Sequence, residues 1–174
     1  TSVSLYRGTA LIAAMYNDEK GIDSGRVLVF KAQMHPPPPP APFPPPQFSR
    51  QHKVFAEDGA SRYSEFGVSV DVDGDTLVVG AHQENDGSDS GSNGSVYVYV
   101  RSYFAWSLQQ KIVASDGAKD DHFGVSVALL GDTLVVGANQ DDDNGAQSGS
   151  VYIFVRSGTT WTQPVSYTHL TLPT

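Results

Sequence analysis

FGVSVDVDGDTLVVGA, from Phe66 to Ala81, sets how the chain is read, because FGVSVALLGDTLVVGA returns from Phe123 to Ala138. The step from Phe66 to Phe123 is 57 positions. The chain is therefore an array of units of about that length. A worn third copy stands at the start. SVSLYRGTALIAA, from Ser2 to Ala14, aligns with GVSVDVDGDTLVVGA, and SGRVLVF at 24–30 aligns with GSVYVYV at 94–100. No Phe-Gly pair precedes Ser2, so the chain is expected to open inside a unit.

Each unit reads as four short strands. One follows the Phe-Gly pair; a tight turn at Asp73-Gly74-Asp75 or Gly131-Asp132 leads to a second, Thr76 to Ala81 or Thr133 to Ala138. A polar loop leads to a third at 95–101 or 150–156, and a fourth starts at Trp106 or Trp161. Strands this short, punctuated by Gly, Asp, Asn and Ser, make an all-β meander. The second and third strands are apolar on both pleat faces, which requires cover on both sides. The fourth broadly alternates, although Gln110 and Val113 disturb the alternation, and reads as a half-exposed outer strand. Small four-stranded antiparallel sheets stacked face to face describe a partial β-propeller, here about two and a half blades. A repetitive β-sandwich is the alternative, but it does not call for a 57-residue period with every turn in register.

Two segments stand outside the pattern. AQMHPPPPPAPFPPPQ, from Ala32 to Gln47, holds nine of the eleven prolines and takes the place of the short link Arg101 to Ala105. Proline fixes φ and donates no N–H, so a polyproline II insertion in a hairpin loop is expected. Residues 36–46 are the candidate ligand for a proline-recognition domain, with a plain low-complexity loop as the alternative. The last ten residues, VSYTHLTLPT from 165 to 174, break off inside a unit and resemble a translated sequencing adapter. They are set aside, with a natural divergent strand as the alternative, and the chain is expected to be a fragment of a longer reading frame.

Phe66-Gly67 and Phe123-Gly124, followed by Gly80-Ala81 and Gly137-Ala138, resemble the FG-GAP repeat of integrin α-chain propellers and related proteins. The closing proline of the family's pattern is absent, since His82 and Asn139 follow the Gly-Ala pairs. The resemblance covers residues 1–164 apart from the proline insertion. It divides the chain into a truncated repeat at 1–65, a full repeat at 66–122 and a truncated repeat at 123–164. It implies a propeller whose rim loops bind a protein or glycan, in an extracellular or cell-surface setting. An accessory propeller of a larger secreted enzyme, or an intracellular scaffold working through residues 36–46, are the alternatives. Phe66, Phe123 and the paired glycines are expected to be structural, filling seams and permitting close backbone approach.

The composition narrows the partners. Nineteen acidic against 11 basic residues give a net charge of −8, which disfavours nucleic acid and anionic membranes. Cysteine is absent, which excludes disulfides, thiolate metal sites and cysteine nucleophiles in this segment. No apolar run approaches the roughly 18 residues needed to cross a bilayer.

The resemblance also implies a calcium loop between first and second strands, built from alternating carboxylates. Here that hairpin has shrunk to DVDGD at 71–75 and LLGD at 129–132. Asp71, Asp73 and Asp75 supply too few oxygens, and Asp132 stands alone, so calcium is not assigned to these turns. The loops at 82–94 and 139–149 are the other acidic candidates. There Asp141, Asp143 and Asn144, or Glu84, Asp86 and Asp89, are the residues that would gather around Ca²⁺; ordinary solvated turn composition is the alternative. No zinc-protease, serine-elbow, phosphate-loop or EF-hand motif is present, so no catalytic, cofactor or metal residue is assigned and a non-enzymatic role is expected. His52, His82 and His122 read as surface residues. Asn93-Gly94-Ser95 is a glycosylation sequon that fits a secreted setting.

Overall fold

The structure is a computed structural model that describes residues 2–17, 25–33, 47–56, 63–84, 92–103, 105–143 and 145–168. The proline run at 36–46 lies outside them, as do Asp86, Asp89 and Asn144. Twelve strands follow in order: β1 (Val3–Tyr6), β2 (Thr9–Ala14), β3 (Arg26–Gln33), β4 (Gln47–Val54), β5 (Ser69–Asp73), β6 (Thr76–Ala81), β7 (Ser95–Ser102), β8 (Ala105–Ile112), β9 (Phe123–Leu130), β10 (Thr133–Ala138), β11 (Ser150–Ser157) and β12 (Thr160–Thr168). They form three antiparallel sheets, β1-β2-β3-β4, β5-β6-β7-β8 and β9-β10-β11-β12. The all-β, partial-propeller reading holds, with three four-stranded sheets rather than two and a half. The additional half comes from the ends. β1 completes the first sheet, and the main chain of 165–168 extends β12 along β11, pairing Val165 with Ile153 and Thr168 with Ser150. Main-chain pairing along an open strand needs no particular side chain, so a segment set aside on sequence grounds still pairs.

The sheets stack through two apolar seams. In the first, Leu11, Ala13, Val27, Val29 and Val54 meet Phe66, Val70, Val72, Leu77, Val79, Tyr97 and Tyr99. In the second, Val78, Val96, Val98 and Ile112 meet Phe123, Leu129, Leu134, Val136, Tyr152, Phe154 and Trp161. The middle sheet thus buries both faces, and all six residues of β6 are buried.

Both seams close on the same device. Phe66 sits edge-to-face against Tyr97 of its own sheet, ring centroids 5.3 Å apart, and Phe123 against Tyr152 at 5.2 Å. The main chain of each Phe-Gly pair lies on a glycine of the preceding sheet, in isolated parallel bridges Gly25 to Phe66 and Gly94 to Phe123. Gly80 is packed so tightly that a Cβ there would strike the Gly124 carbonyl oxygen, which accepts a bond from Ser69 Oγ at 2.8 Å.

The irregular fourth strand has a physical cause. The β7–β8 register slips so that Val98 faces Gln110 and Tyr99 faces Leu108, leaving Gln109 as the additional residue of a bulge. The same slip falls between Val29 and Phe30 in the first sheet and between Ile153 and Val155 in the third. In β8 the bulge turns neighbouring glutamines toward the third sheet. Gln110 exchanges two hydrogen bonds with the Trp161 main chain, at 2.8 and 3.0 Å, and Gln109 Oε1 accepts from Trp161 Nε1 at 3.0 Å.

Candidate functional site

The hairpin carboxylates at 71–75 are occupied by protein donors. Asp71 Oδ1 accepts Ser4 Oγ of the first sheet at 2.8 Å, and its Oδ2 accepts the Leu129 amide of the third at 2.7 Å. One side chain therefore ties three sheets together. Asp73 Oδ2 accepts the Gly131 amide at 2.6 Å, a bond that holds its carboxyl below the usual range. Asp75 pairs with Arg101, and Asp132 with Arg156, whose Nη1 also reaches Thr76 Oγ1 of the middle sheet at 2.8 Å. Carboxylates aimed at N–H and O–H donors do not fit a cation, which needs them converging on one point.

The opposite rim carries the β6–β7 and β10–β11 loops, and their bases are built alike. Glu84 and Asp141 hold the same place, three residues after the Gly-Ala pair, and both are buried. The Gly94 amide donates to the Glu84 carbonyl at 3.1 Å, and the Gly149 amide to the Asp141 carbonyl at 2.9 Å, so each loop is tied shut at its foot. Asp141 Oδ2 accepts the Tyr152 hydroxyl at 2.8 Å and its Oδ1 the Asp143 amide at 3.0 Å. Burial, and then the bond to Asp141, push the Tyr152 hydroxyl well above its usual range. In the preceding unit Lys111 lies 3.7 Å from Glu84 and over the Tyr97 ring.

These two acids are therefore anchors. Asp141 and Asp143 were calcium candidates on sequence, but Asp141 spends its oxygens on Tyr152 and the Asp143 amide. Among the described residues no three His, Asp or Glu side chains are placed to hold a metal ion. The carboxylates of the 71–75 turn and Asp141, held by protein donors, do not fit the family's calcium chemistry, while the candidates Asp86, Asp89 and Asn144 lie outside the described residues. The sequence carries a signal for the anchors, since His82-Gln83-Glu84 and Asn139-Gln140-Asp141 stand at matching offsets. Asn93 of the sequon also lies at a loop foot, half-buried, with its carbonyl accepting the Phe123 amide at 3.2 Å.

Of the three histidines expected at the surface, His52 and His122 are partly exposed, but His82 is buried. His82 is 7% exposed and lies in the second seam, edge-to-face with His122 at 4.8 Å. Glu65 Oε2 approaches its Nδ1 at 3.8 Å, while Glu65 Oε1 accepts Gln83 Nε2 at 3.1 Å. Burial, and then His122, lower His82 to about 4. Asp121, nearby in chain and space, is raised by its own burial and by Asp141, Asp143 and Asp142.

Residues 48–99 and 106–154 match the FG-GAP repeat. The chain belongs to the FG-GAP repeat family. Each matched stretch begins in the outer strand of one sheet, β4 or β8, and runs through three strands of the next. An FG-GAP unit thus supplies covalent continuity across each seam, and its Phe-Gly pair lies where the chain crosses over.

A pH dependence follows from His82. Its folded value, about 4, is below the ordinary 6.5, so the unfolded chain takes up a proton that the folded one refuses. His82 therefore favours folding fully at high pH, and stability is expected to fall as pH drops from 6.5 toward 4, by about 2–3 kcal/mol in all. Asp121, raised in the fold, opposes part of this in the carboxylate range. His82→Asn, which copies Asn139 of the next unit, isolates the effect. Urea midpoints between pH 4 and 7 should fall more steeply with acid in the parent chain than in the variant; parallel curves would refute it.

Proposed function

We propose that this FG-GAP array is a non-enzymatic binding module of an extracellular or cell-surface protein, recognising a protein or glycan through the loops at 82–94 and 139–149. The observation that supports it most directly is the loop feet. Two loops share one buried acid anchor and one closing glycine, yet differ in length and residues between them: NDGSDSGSN separates Glu84 from Gly94, where DDNGAQS separates Asp141 from Gly149. A constant foot with a changing tip is what a recognition surface on a rigid scaffold requires. Family membership adds weight for an adhesion setting, and fold alone does not name the ligand.

The test is binding of the purified chain to arrayed matrix proteins, cell surfaces and glycans, beside a variant whose 142–148 and 85–92 tips are replaced by Gly/Ser of equal length. Binding that the tip replacement removes, with the melting temperature unchanged, is the expected result. Binding indifferent to the replacement would overturn the assignment to these loops.

A further inference from the structure

His82 lies between the ends of two successive straps, the segments that carry the chain from one sheet to the next. Glu65 ends the strap that leads into β5, and His122 ends the one, residues 113–122, that leads into β9. The two hold the same place in the repeat. Each is left-handed, at φ 52° and 60°, and each carbonyl accepts the amide three residues on, of Val68 or Val125. His82 meets the His122 ring edge-to-face at 4.8 Å, a contact that needs no charge. Its Nδ1 stands 3.8 Å from Glu65 Oε2, too far for a hydrogen bond, and this buried nitrogen has no hydrogen-bond partner among the described residues.

The second strap is laced to the feet of both rim loops. The Asp120 amide donates to the Ser92 carbonyl at 3.0 Å, the Phe123 amide to the Asn93 carbonyl at 3.2 Å, and the Gln140 amide to the Asp121 carbonyl at 3.2 Å. His122 sits inside this lacing. Among the described residues Glu65 and His122 are the titratable groups that face His82. Glu84, two residues along its own loop, is approached by Lys111 at 3.7 Å, and Asp121, beside His122, turns Oδ2 to the Ala118 amide.

We propose that His82 is a two-position acid latch: uncharged, it packs on His122 and holds the 113–122 strap against the foot of the 82–94 loop, and protonated, it moves to Glu65 and frees the strap. A proton gives both ring nitrogens an N–H, so Nδ1 gains a charge-assisted bond to the Glu65 carboxylate. It also sets His82 against His122 whenever that ring is charged. Burial, and then His122, hold His82 at about 4 in the closed position, against 6.5 in water, so the closed position is favoured at high pH and lost as pH falls. Between pH 7 and pH 5 the ratio of open to closed rises about 20-fold. Because the strap joins both rim loops, a ligand held across them is released in acid; that consequence rests on the recognition role proposed above, whereas the latch itself does not.

Hydrogen exchange of the Asp120, Phe123 and Gln140 amides, followed by NMR on the full chain without ligand at pH 7 and pH 5, tests this. Corrected for intrinsic rates, their protection is expected to fall about 20-fold in acid and to ignore low urea, since opening the strap exposes little surface. The β6 amides should keep the higher, urea-sensitive protection of a core strand. In His82→Asn, which copies Asn139, the response of the strap to acid should vanish. Glu65→Gln is the second variant should the first lose its fold, and it should weaken the response while leaving protection at pH 7 as in the parent. Strap protection that ignores pH, a parent-like response in either variant, or strap amides that exchange only together with β6 would each overturn the latch. None of these readouts involves a ligand, so failure of the latch and failure of the recognition role are told apart.

Discussion

Gly94→Ala is expected to lower the unfolding free energy by about 3 kcal/mol or more, and Gly149→Ala by about 1–1.5 kcal/mol, although the two glycines hold the same place in successive units. Both have left-handed φ, 88° and 72°, so an added Cβ strains the main chain in either case by about 1–2 kcal/mol. The difference lies in what the Cβ meets. At Gly94 it runs into the Phe123 carbonyl oxygen, with the Phe123 nitrogen 2.8 Å away, and main chain cannot swing aside as a side chain can. The second seam would have to open, adding about 1–3 kcal/mol of overpacking. At Gly149 the nearest atoms are 3.5 Å away, an ordinary contact. Urea unfolding at neutral pH reads both values. Equal losses would show that the Phe-Gly pair does not rest on the glycine of the preceding sheet.

The repeat made the fold legible, because TLVVGA and SVYVYV are too apolar to face water on either side and recur at a spacing that a stack of sheets explains. The bulge was visible only as noise. Gln110 breaks the alternation of β8, and a period-two reading has no place for the additional residue at Gln109. The rim was less legible for a different reason. Asp71 looks like any acidic turn residue until Ser4 and the Leu129 amide, 67 and 58 positions away, are brought to it. His82 likewise reads as a loop residue, because its burial is created by His122 and Glu65 arriving from either side of the seam. Local composition reports turns; it does not report which turns become interfaces.

Phe66→Ala and Phe123→Ala are each expected to remove about 4 kcal/mol, the usual loss for a fully buried phenylalanine, and to do so in different parts of the chain. Phe66 also gives up edge contacts to Tyr97 and to Tyr99 at 6.4 Å, and Phe123 those to Tyr152 and to Phe154 at 6.0 Å. Contacts of this kind add about 0.5–1.5 kcal/mol beyond area. Position decides the consequence. Among the described residues the β9–β12 sheet rests on one seam, so Phe123→Ala loosens that attachment, and hydrogen exchange of the β10 and β11 amides should quicken while β2, β3 and β6 keep their protection. Phe66→Ala should give the mirror image, with β2 and β3 exchanging faster and β10 and β11 unchanged. If either variant speeds exchange evenly through all three sheets, the stack opens as one body and the seams are not separate steps. A graded answer would instead place the stability of the array in its interfaces. The middle sheet, held from both sides, would then exchange last in the parent chain because its neighbours cover it, since β6 and β10 share one hexapeptide and differ only in what lies over them.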